Sequence, residues 1–263
     1  MKIELMFQAI PLWLFYSVTV VIVLLSVVCG LLLGSYIRRK GKSQKEAPIG
    51  AIVASILGLL AFILAFTFGM AASRFDARKQ LLLDEVNAIG TAFLRTDFLS
   101  EPQGTASRKL LKEYVDIRVE ATLQVEKLPQ ALVDSEALHN RLWSQLTALS
   151  KQDNDSILLG LYIQSLNEVI DLHLKRVTVG LRYRIPGMVW LMLYVVTILT
   201  MVAVGSQFGL AGTSSWLIIL LLALSFSAVI LLIADLDRAS EGLLNVSQKP
   251  MTELQQKLTT FAF

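Results

Sequence analysis

Four long runs of apolar residues dominate the chain and fall into two pairs, separated by a longer and more polar stretch. The runs cover residues 10–37, 49–72, 185–204 and 216–234. Roughly 20 apolar residues suffice for a helix to cross the hydrocarbon core of a bilayer. Because lipid offers the backbone no hydrogen-bond partner, a segment inside it must satisfy its own N–H and C=O groups as a helix. The pattern therefore predicts four transmembrane helices.

The same runs set the predicted domain organisation. Residues 1–72 form a first transmembrane hairpin, 73–184 a soluble insert, 185–234 a second hairpin and 235–263 a C-terminal juxtamembrane segment. No alternating strand pattern of useful length occurs in the insert, whose apolar residues recur at three- and four-residue steps. The predicted fold class is all-α: a polytopic membrane protein with four transmembrane helices and a helical soluble bundle between spans two and three.

Amphipathic periodicity predicts four helices in the insert. They cover residues 76–99, 107–127, 135–149 and 157–179. The first is expected to continue out of the second span without a break, because nothing separates the two. Its apolar stripe consists of Leu82, Val86, Ile89 and Phe93. Pro129 is expected to interrupt the chain after the second helix, and Asp155 or Ser156 to cap the fourth.

Composition agrees with a membrane protein and argues against several partners. The apolar share is 54%, above the roughly 45–50% of a soluble domain. The formal net charge is +3, and the basic residues lie beside the apolar runs rather than in one patch, which argues against nucleic acid. Cys29 is the only cysteine and lies inside the first run, so one chain can form neither a disulfide nor a thiolate metal site.

Basic residues give two opposed indications of orientation. The first connection is crowded with cations, whereas residues 205–215 carry no charge. The cations of the first connection are Arg38, Arg39, Lys40, Lys42 and Lys45. Because cytoplasmic flanks are rich in Lys and Arg, the second hairpin favours a cytoplasmic insert and the first hairpin favours the opposite. We favour the cytoplasmic insert, with both termini on the same side of the inner (cytoplasmic) membrane.

Side chains that could carry catalysis are scarce. His139 and His173 are the only histidines, and neither has a second ligand type at metal spacing. We interpret them as surface or helix-face histidines. Asp153 and Asp155 are better explained by a solvated turn than by a cation site. An enzyme is therefore the least supported class of protein, and no cofactor is expected.

The second span carries large apolar residues on one helix face. Phe62, Phe66 and Met70 recur at four-residue steps, and Gly58 continues the face. In an isolated helix this face would pack against lipid or a neighbouring helix. If several copies of the helix surround an axis, the same face forms apolar rings, and such constrictions gate conduction by dewetting.

Acidic residues cluster where the fourth span ends. Asp235, Asp237 and Glu241 surround Arg238 in the sequence. The simplest interpretation is a helix end at the membrane interface, with Arg238 neutralising its neighbours. Clustered carboxylates also suit a divalent cation such as calcium, although the spacing does not require one.

Several motifs resemble one family. Residues 66–78 (FTFGMAASRFDAR) and 84–97 (DEVNAIGTAFLRTD) resemble the bestrophin-like bacterial membrane proteins. A second signature follows in residues 234–238 (ADLDR), with Gly242 and then VSQ at 246–248. The resemblance extends from the second apolar run to about residue 254.

The more distant similarity to bestrophins implies a function. Those proteins have four spans with a helical region between the second and third, and they assemble as pentameric ion channels with an apolar neck on the second span. Carried over, the resemblance implies that Phe62, Phe66 and Met70 form the neck. The residues it assigns to the pore exit and to coupling with the insert are Arg74, Asp76, Arg78, Asp84, Glu85 and Asn87. The resemblance also implies that Asp235, Asp237 and Glu241 stand where bestrophins have their calcium-binding acidic cluster.

Two hypotheses of function remain open. The first is a homo-oligomeric channel for small ions in the lipid membrane, with a pentamer favoured; Arg74 and Arg78 mildly favour anions. The second is a non-conducting membrane scaffold or sensor whose helical insert binds a cytoplasmic partner. A transporter is a weaker third interpretation, because the spans carry no embedded charge and no obvious pair of broken helices.

Overall fold

The computed structural model describes residues 11–40, 49–151, 156–212, 215–238 and 242–260. These ranges are mostly helical and contain no strand. Four stretches within them are long and apolar enough to cross a membrane. The prediction of an all-α membrane protein with four spans is confirmed.

Eight α-helices follow one another in the described ranges. They are α1 (Leu12–Arg39), α2 (Ile49–Arg95), α3 (Gln103–Leu123), α4 (Leu128–Ser150), α5 (Ile157–Val177), α6 (Gly187–Ala211), α7 (Trp216–Asp237) and α8 (Lys249–Thr260). Short 3₁₀ turns follow α2 and α3, and a π-helical turn over Thr178–Arg182 follows α5. The apolar spans are α1, the first half of α2, α6 and α7.

Helices α3 and α4 begin earlier than the sequence predicts, at Gln103 and Leu128, whereas α5 begins at Ile157 with Ser156 as its cap, as predicted. Helix α4 begins at Leu128, with Pro129 in its first turn, because the first turn of a helix makes no use of the missing N–H. Helix α5 begins after Ser156, whose hydroxyl accepts the N–H of Leu159 at 3.3 Å. Asp153 and Asp155 lie outside the described residues.

The chain divides into two compact units. The membrane unit contains the described residues of Met1–Phe75 and Arg184–Leu244, and the insert unit those of Asp76–Tyr183 and Asn245–Phe263. The segment 235–263 is therefore divided between the units, with α8 in the insert unit. Helix α2 is uninterrupted from Ile49 to Arg95 and contributes to both, as its sequence predicts.

Close packing of α1 on α6 organises the membrane unit. The glycines on the two facing surfaces are Gly30, Gly34, Gly205 and Gly209. A Cβ on Gly30 would lie 2.1 Å from the carbonyl oxygen of Val202, and one on Gly205 would lie 2.1 Å from that of Val27. Small residues let membrane helices approach until their backbones touch, which is how they associate without a hydrophobic driving force.

The insert unit has its own apolar core, built on the predicted stripes. Leu82, Ile89 and Phe93 of α2 are buried, and Val86 packs against the same core. Helix α8 adds one amphipathic face to it. The buried residues of that face are Met251, Leu254 and Leu258. The C-terminal helix thus completes the bundle rather than forming a separate juxtamembrane element.

Candidate functional site

The face of α2 predicted to line a pore is uncovered in the membrane unit. Phe62 is 68% exposed and Phe66 is 61% exposed, and Met70 is half-buried. A Cβ on Gly58 would meet no atom within 4 Å. The other side of the helix is packed within the unit. Its buried residues are Val53, Leu60, Leu64, Thr67 and Ala71. Inside a membrane, the uncovered face must meet lipid, another protein or the water of a pore.

Arg74, near the end of the apolar part of α2, lies beside the acidic end of α7. Its Nη1 is 3.7 Å from Oδ1 of Asp237. Arg184 donates a hydrogen bond to the carbonyl oxygen of Asp237, and the backbone N–H of Ile185 donates to Oδ1 at 3.0 Å. Asp237, at the end of the fourth span, therefore contacts both the second span and the start of the third.

Asp235 fixes the chain where it leaves α7. Its carboxylate accepts the N–H groups of Leu243 at 2.8 Å and Leu244 at 3.0 Å. A Cβ on Gly242 would lie 2.2 Å from Oδ1 of Asp235, so a side chain at this position would collide with the carboxylate. This contact explains why an aspartate and a glycine are spaced this way in the C-terminal motif.

The candidate cation site is only partly described. Asp235 and Asp237 both accept N–H groups, and Glu241 lies outside the described residues. Across the part of the chain that the structure describes, no three His, Cys, Asp or Glu side chains are placed to hold a metal ion. A cation at Asp235 would have to displace two backbone donors. The site stays a prediction.

The residues assigned to coupling separate into different environments. Asp76 and Asn87 are exposed, and Asp84 accepts a hydrogen bond from Gln80 at 2.8 Å. Arg78 is buried, and Glu85 is fully buried in the insert unit. Glu85 belongs to an extended buried network within the insert unit.

Around Glu85 lies a buried polar cluster that joins four helices of the insert unit. We name it the histidine cluster. It consists of Glu85 (α2), Tyr114 and Arg118 (α3), His139 (α4), and His173 and Arg176 (α5). The Tyr114 hydroxyl lies 2.5 Å from Oε1 of Glu85 and 2.9 Å from Nδ1 of His173. Arg176 donates to the other carboxylate oxygen, and Nε of Arg118 lies 3.6 Å from Oε1.

Burial and charge shift the pKa values of Glu85, Tyr114 and the two histidines of the cluster. Burial alone would raise the pKa of Glu85, but Arg176 and Arg118 outweigh it and hold that pKa below its ordinary value. Burial and the Glu85 carboxylate raise the pKa of Tyr114 well above its ordinary value. Burial lowers the pKa of His139 to about 4, and burial with the nearby Arg118 lowers that of His173 to about 3. Both imidazoles are therefore neutral at pH 7.

Sequence reasoning missed this cluster because each histidine was considered alone. Neither is at the surface: His139 and His173 are both buried. The available signal was their position on the apolar stripes. His139 falls between Ser135 and Leu142, and His173 follows Val169, all buried positions at helical spacing.

The fold and these sites define a polytopic α-helical membrane protein with a helical insert and an uncovered aromatic face on its second span. The family model of the Bestrophin-like domain matches residues 9–251. The chain belongs to the bestrophin-like family, which confirms the resemblance seen in its motifs. Among curated proteins, none matches the chain.

Solved structures share the fold at low sequence identity. A point variant of a bacterial bestrophin homologue from Klebsiella pneumoniae aligns with a TM-score of 0.65 at 14% identity, covering 92% of this chain and 97% of that one. A second variant from the same organism gives 0.62 at 13% identity, with the same coverage. A further structure, described as a membrane protein, gives 0.64 at 14% identity and covers 94% and 98%. At this identity the similarity establishes a common fold.

Proposed function

We propose that the protein is the subunit of a homo-oligomeric ion channel, in which copies of α2 surround a central pore. The observation that carries the proposal is the uncovered face of α2, where Phe62 and Phe66 are mostly exposed while the opposite face is buried. A helix with one packed side and one row of large apolar side chains suits a position around an axis. Membership of the bestrophin-like family favours the same arrangement, with a pentamer as the expected assembly.

The proposed neck controls conduction by its apolar character. Rings of Phe62 and Phe66, followed by Met70, would line an apolar constriction. Water is easily expelled from such a constriction, and ions then cannot pass, which is gating by dewetting. An apolar ring does not select the sign of an ion. Arg74 and Arg78 favour anions, although Arg74 already pairs with Asp237. We place the channel in the inner membrane, with the insert and both termini in the cytoplasm.

Conductance of the purified protein tests this proposal. In planar bilayers the wild type conducts, and Phe66→Ala changes the unit conductance or the open fraction several-fold because a ring of large side chains is removed. The matched control is Phe68→Ala: it removes the same side chain two residues along the same helix, from a different face, and leaves both quantities near wild type. Silent bilayers across pH and divalent ions, with well-folded protein, would count against a channel.

Calcium control is a separate part of the proposal. Asp235 and Asp237, with Glu241, form the candidate cation site, and Asp237 contacts Arg74 of the pore helix. Calcium at this site would compete with Arg74 for Asp237 and alter the end of the pore helix. Titrating calcium on the insert side of a bilayer should then shift the open fraction. An open fraction that stays constant from micromolar to millimolar calcium would contradict calcium control.

The second candidate function is a non-conducting scaffold or sensor. Large apolar side chains exposed on the insert unit favour it: Ile157 is 82% exposed, and Leu94 and Phe98 are more than half exposed. A partner protein could cover them. This function predicts monomers or dimers in detergent, a stable heterologous complex and no conductance, whereas the channel predicts larger homo-oligomers that conduct.

A further inference from the structure

The only two histidines of the chain lie side by side inside the insert unit. The ring centroids of His139 and His173 are 4.9 Å apart, with the rings nearly perpendicular, and the Tyr114 ring is 5.0 Å from that of His139. His139 comes from α4 and His173 from α5. A change in the charge of either ring therefore affects the packing of α3, α4 and α5 against one another.

The hydrogen bonds of the histidine cluster fix the direction of its protons. An ionised carboxylate only accepts, so the single hydroxyl hydrogen of Tyr114 goes to Glu85. The Tyr114 oxygen must then accept from Nδ1–H of His173. This places the hydrogen of neutral His173 on Nδ1, as inferred from the network. An added proton would go to Nε2 and convert the ring to an imidazolium.

The charged groups that face the two rings come from three helices, and their charges decide whether an added proton is tolerated. Helix α2 contributes the Glu85 carboxylate, α3 contributes Arg118 and α5 contributes Arg176. Gln248, which precedes α8, is neutral and accepts a weak bond from Arg176 at 3.4 Å. With both imidazoles neutral the cluster carries one positive charge in excess, so each added proton increases an excess that burial already disfavours.

Protonation would also leave a buried donor without a partner. Nε2 of His139 is buried and makes no hydrogen bond to any described residue. In a charged imidazolium both ring nitrogens carry hydrogen, so Nε2–H would become an unsatisfied donor in the core. Separation of the helices would let water reach it.

We propose that the histidine cluster is an acid-sensitive latch, which holds helices α3, α4 and α5 against the insert part of α2 while both imidazoles are neutral and releases them when the imidazoles are protonated. The latch is confined to the insert unit and does not depend on whether the chain conducts. Release would expose apolar core surface and free the C-terminal half of α2 from its neighbours.

The direction and size of the response follow from linkage. The folded-state pKa values are about 4 for His139 and about 3 for His173, below the ordinary 6.5. A histidine of lowered pKa contributes stability that is present above pH 6.5 and is lost as the pH falls toward its folded value. Lowering the pH from 7.5 to 5.0 should raise the opening equilibrium by about 30-fold per histidine.

Hydrogen–deuterium exchange of the full chain in detergent tests the latch. Between pH 7.5 and 5.0, after correction for the intrinsic rate, backbone exchange should accelerate by at least tenfold in the turns that carry Tyr114, His139 and His173. The double variant His139→Gln/His173→Gln removes both titrating groups and should lose the acceleration. An unchanged acid response in the double variant would overturn the proposal.

A control variant separates the latch from surface titration. Glu113 and Arg141 form an exposed pair at 3.5 Å between the same two helices that carry Tyr114 and His139. Glu113→Gln should keep the full acid response. If Glu113→Gln abolishes the response, the surface pair is the sensor and the histidine cluster is not.

A second measurement needs no variant. Exchange of the imidazole Cε1–H, followed by mass spectrometry in protein carrying no histidine tag, reports the pKa of each histidine, and the chain holds only these two. The latch predicts that neither imidazole titrates between pH 6 and 7 while the insert stays protected. A histidine that titrates near its ordinary value of 6.5 without any increase in backbone exchange would refute it.

Discussion

Gly34 of α1 lies directly against the backbone of Ser206 of α6: a Cβ on Gly34 would come within 2.2 Å of the Ser206 carbonyl oxygen. Neither partner can move aside easily, because both are helix backbone in the most extensively packed helix pair of the membrane unit. Because glycines face each other here, the backbones of the first and third spans can pack in direct contact. One face of the second span remains uncovered in the same unit.

Gly34→Ala should therefore destabilise the membrane unit. Forcing one methyl group into a tight interface costs about 1–3 kcal/mol, more than the ~1 kcal/mol that alanine gains over glycine in a helix. The thermal midpoint in detergent, followed by circular dichroism, measures the loss. Gly58→Ala is the matched control, since a Cβ there meets nothing within 4 Å. Equal midpoints for the two variants would contradict the packing described here.

Asp235→Ala should loosen the chain that follows α7. The substitution removes the acceptor of two backbone N–H groups and leaves them unpaired, at about 1.5–3 kcal/mol for each hydrogen bond to a charged group. Asp235→Asn keeps one oxygen and should lose less stability. Protease cleavage after residue 240, compared between the variants, measures the loosening. If both variants resist cleavage like the wild type, Asp235 is not the anchor of this turn.

Glu85→Gln should strongly destabilise the insert unit, because Arg118 and Arg176 would lose the carboxylate between them. Removing one partner of a buried ion pair costs about 3–5 kcal/mol. The neighbouring Asp84→Asn, which affects a hydrogen bond at the surface with Gln80, is the control and should change stability little. Denaturant unfolding at pH 7 compares the two. A mild Glu85→Gln phenotype would show that the pair contributes little.

The Glu85 effect has a defined pH dependence. Its pKa is lowered in the folded protein, so its contribution is complete above the ordinary value of 4.5 and is lost as the pH falls below it. The difference in stability between wild type and Glu85→Gln should thus be constant from pH 8 to 6 and shrink in stronger acid. If the difference in stability grew on acidification instead, the pKa of Glu85 would not be lowered in the folded protein.

Tyr114→Phe should show whether the hydroxyl that joins Glu85 and His173 matters. The hydroxyl is fully buried and lies between two polar partners, so its removal leaves one of them unsatisfied and costs about 1–3 kcal/mol. Tyr183→Phe removes an exposed hydroxyl from the same unit and serves as the control. Indistinguishable unfolding midpoints would exclude a structural role for the Tyr114 hydroxyl.

Much of the fold could be predicted from the sequence because a membrane span is recognised from consecutive apolar residues alone. The apolar runs, the continuity of α2 and the stripe with Leu82, Ile89 and Phe93 depend only on residues near one another in the chain. The sequence predicts too late a start for α4, because a proline such as Pro129 commonly ends a helix, although proline also fits the first turn of one.

The histidine cluster could not be predicted in the same way. Its six side chains come from four helices, and Glu85 and Arg176 are separated by 91 positions. Local periodicity indicates that His139 and His173 face a core, but it does not indicate that they face each other or an ion pair. Likewise, the row of large apolar residues on α2 follows from the sequence, whereas the groups that cover this row in the membrane do not.

Electron cryo-microscopy of the detergent-solubilised particle tests the central claim most directly, since it shows both the number of subunits and the residues on the central axis. The proposed channel predicts a ring of identical subunits, five by analogy with bestrophins, with Phe62 and Phe66 of every copy facing the axis. A lone protomer, an axis filled by lipid, or an axis lined by a helix other than α2 would contradict it.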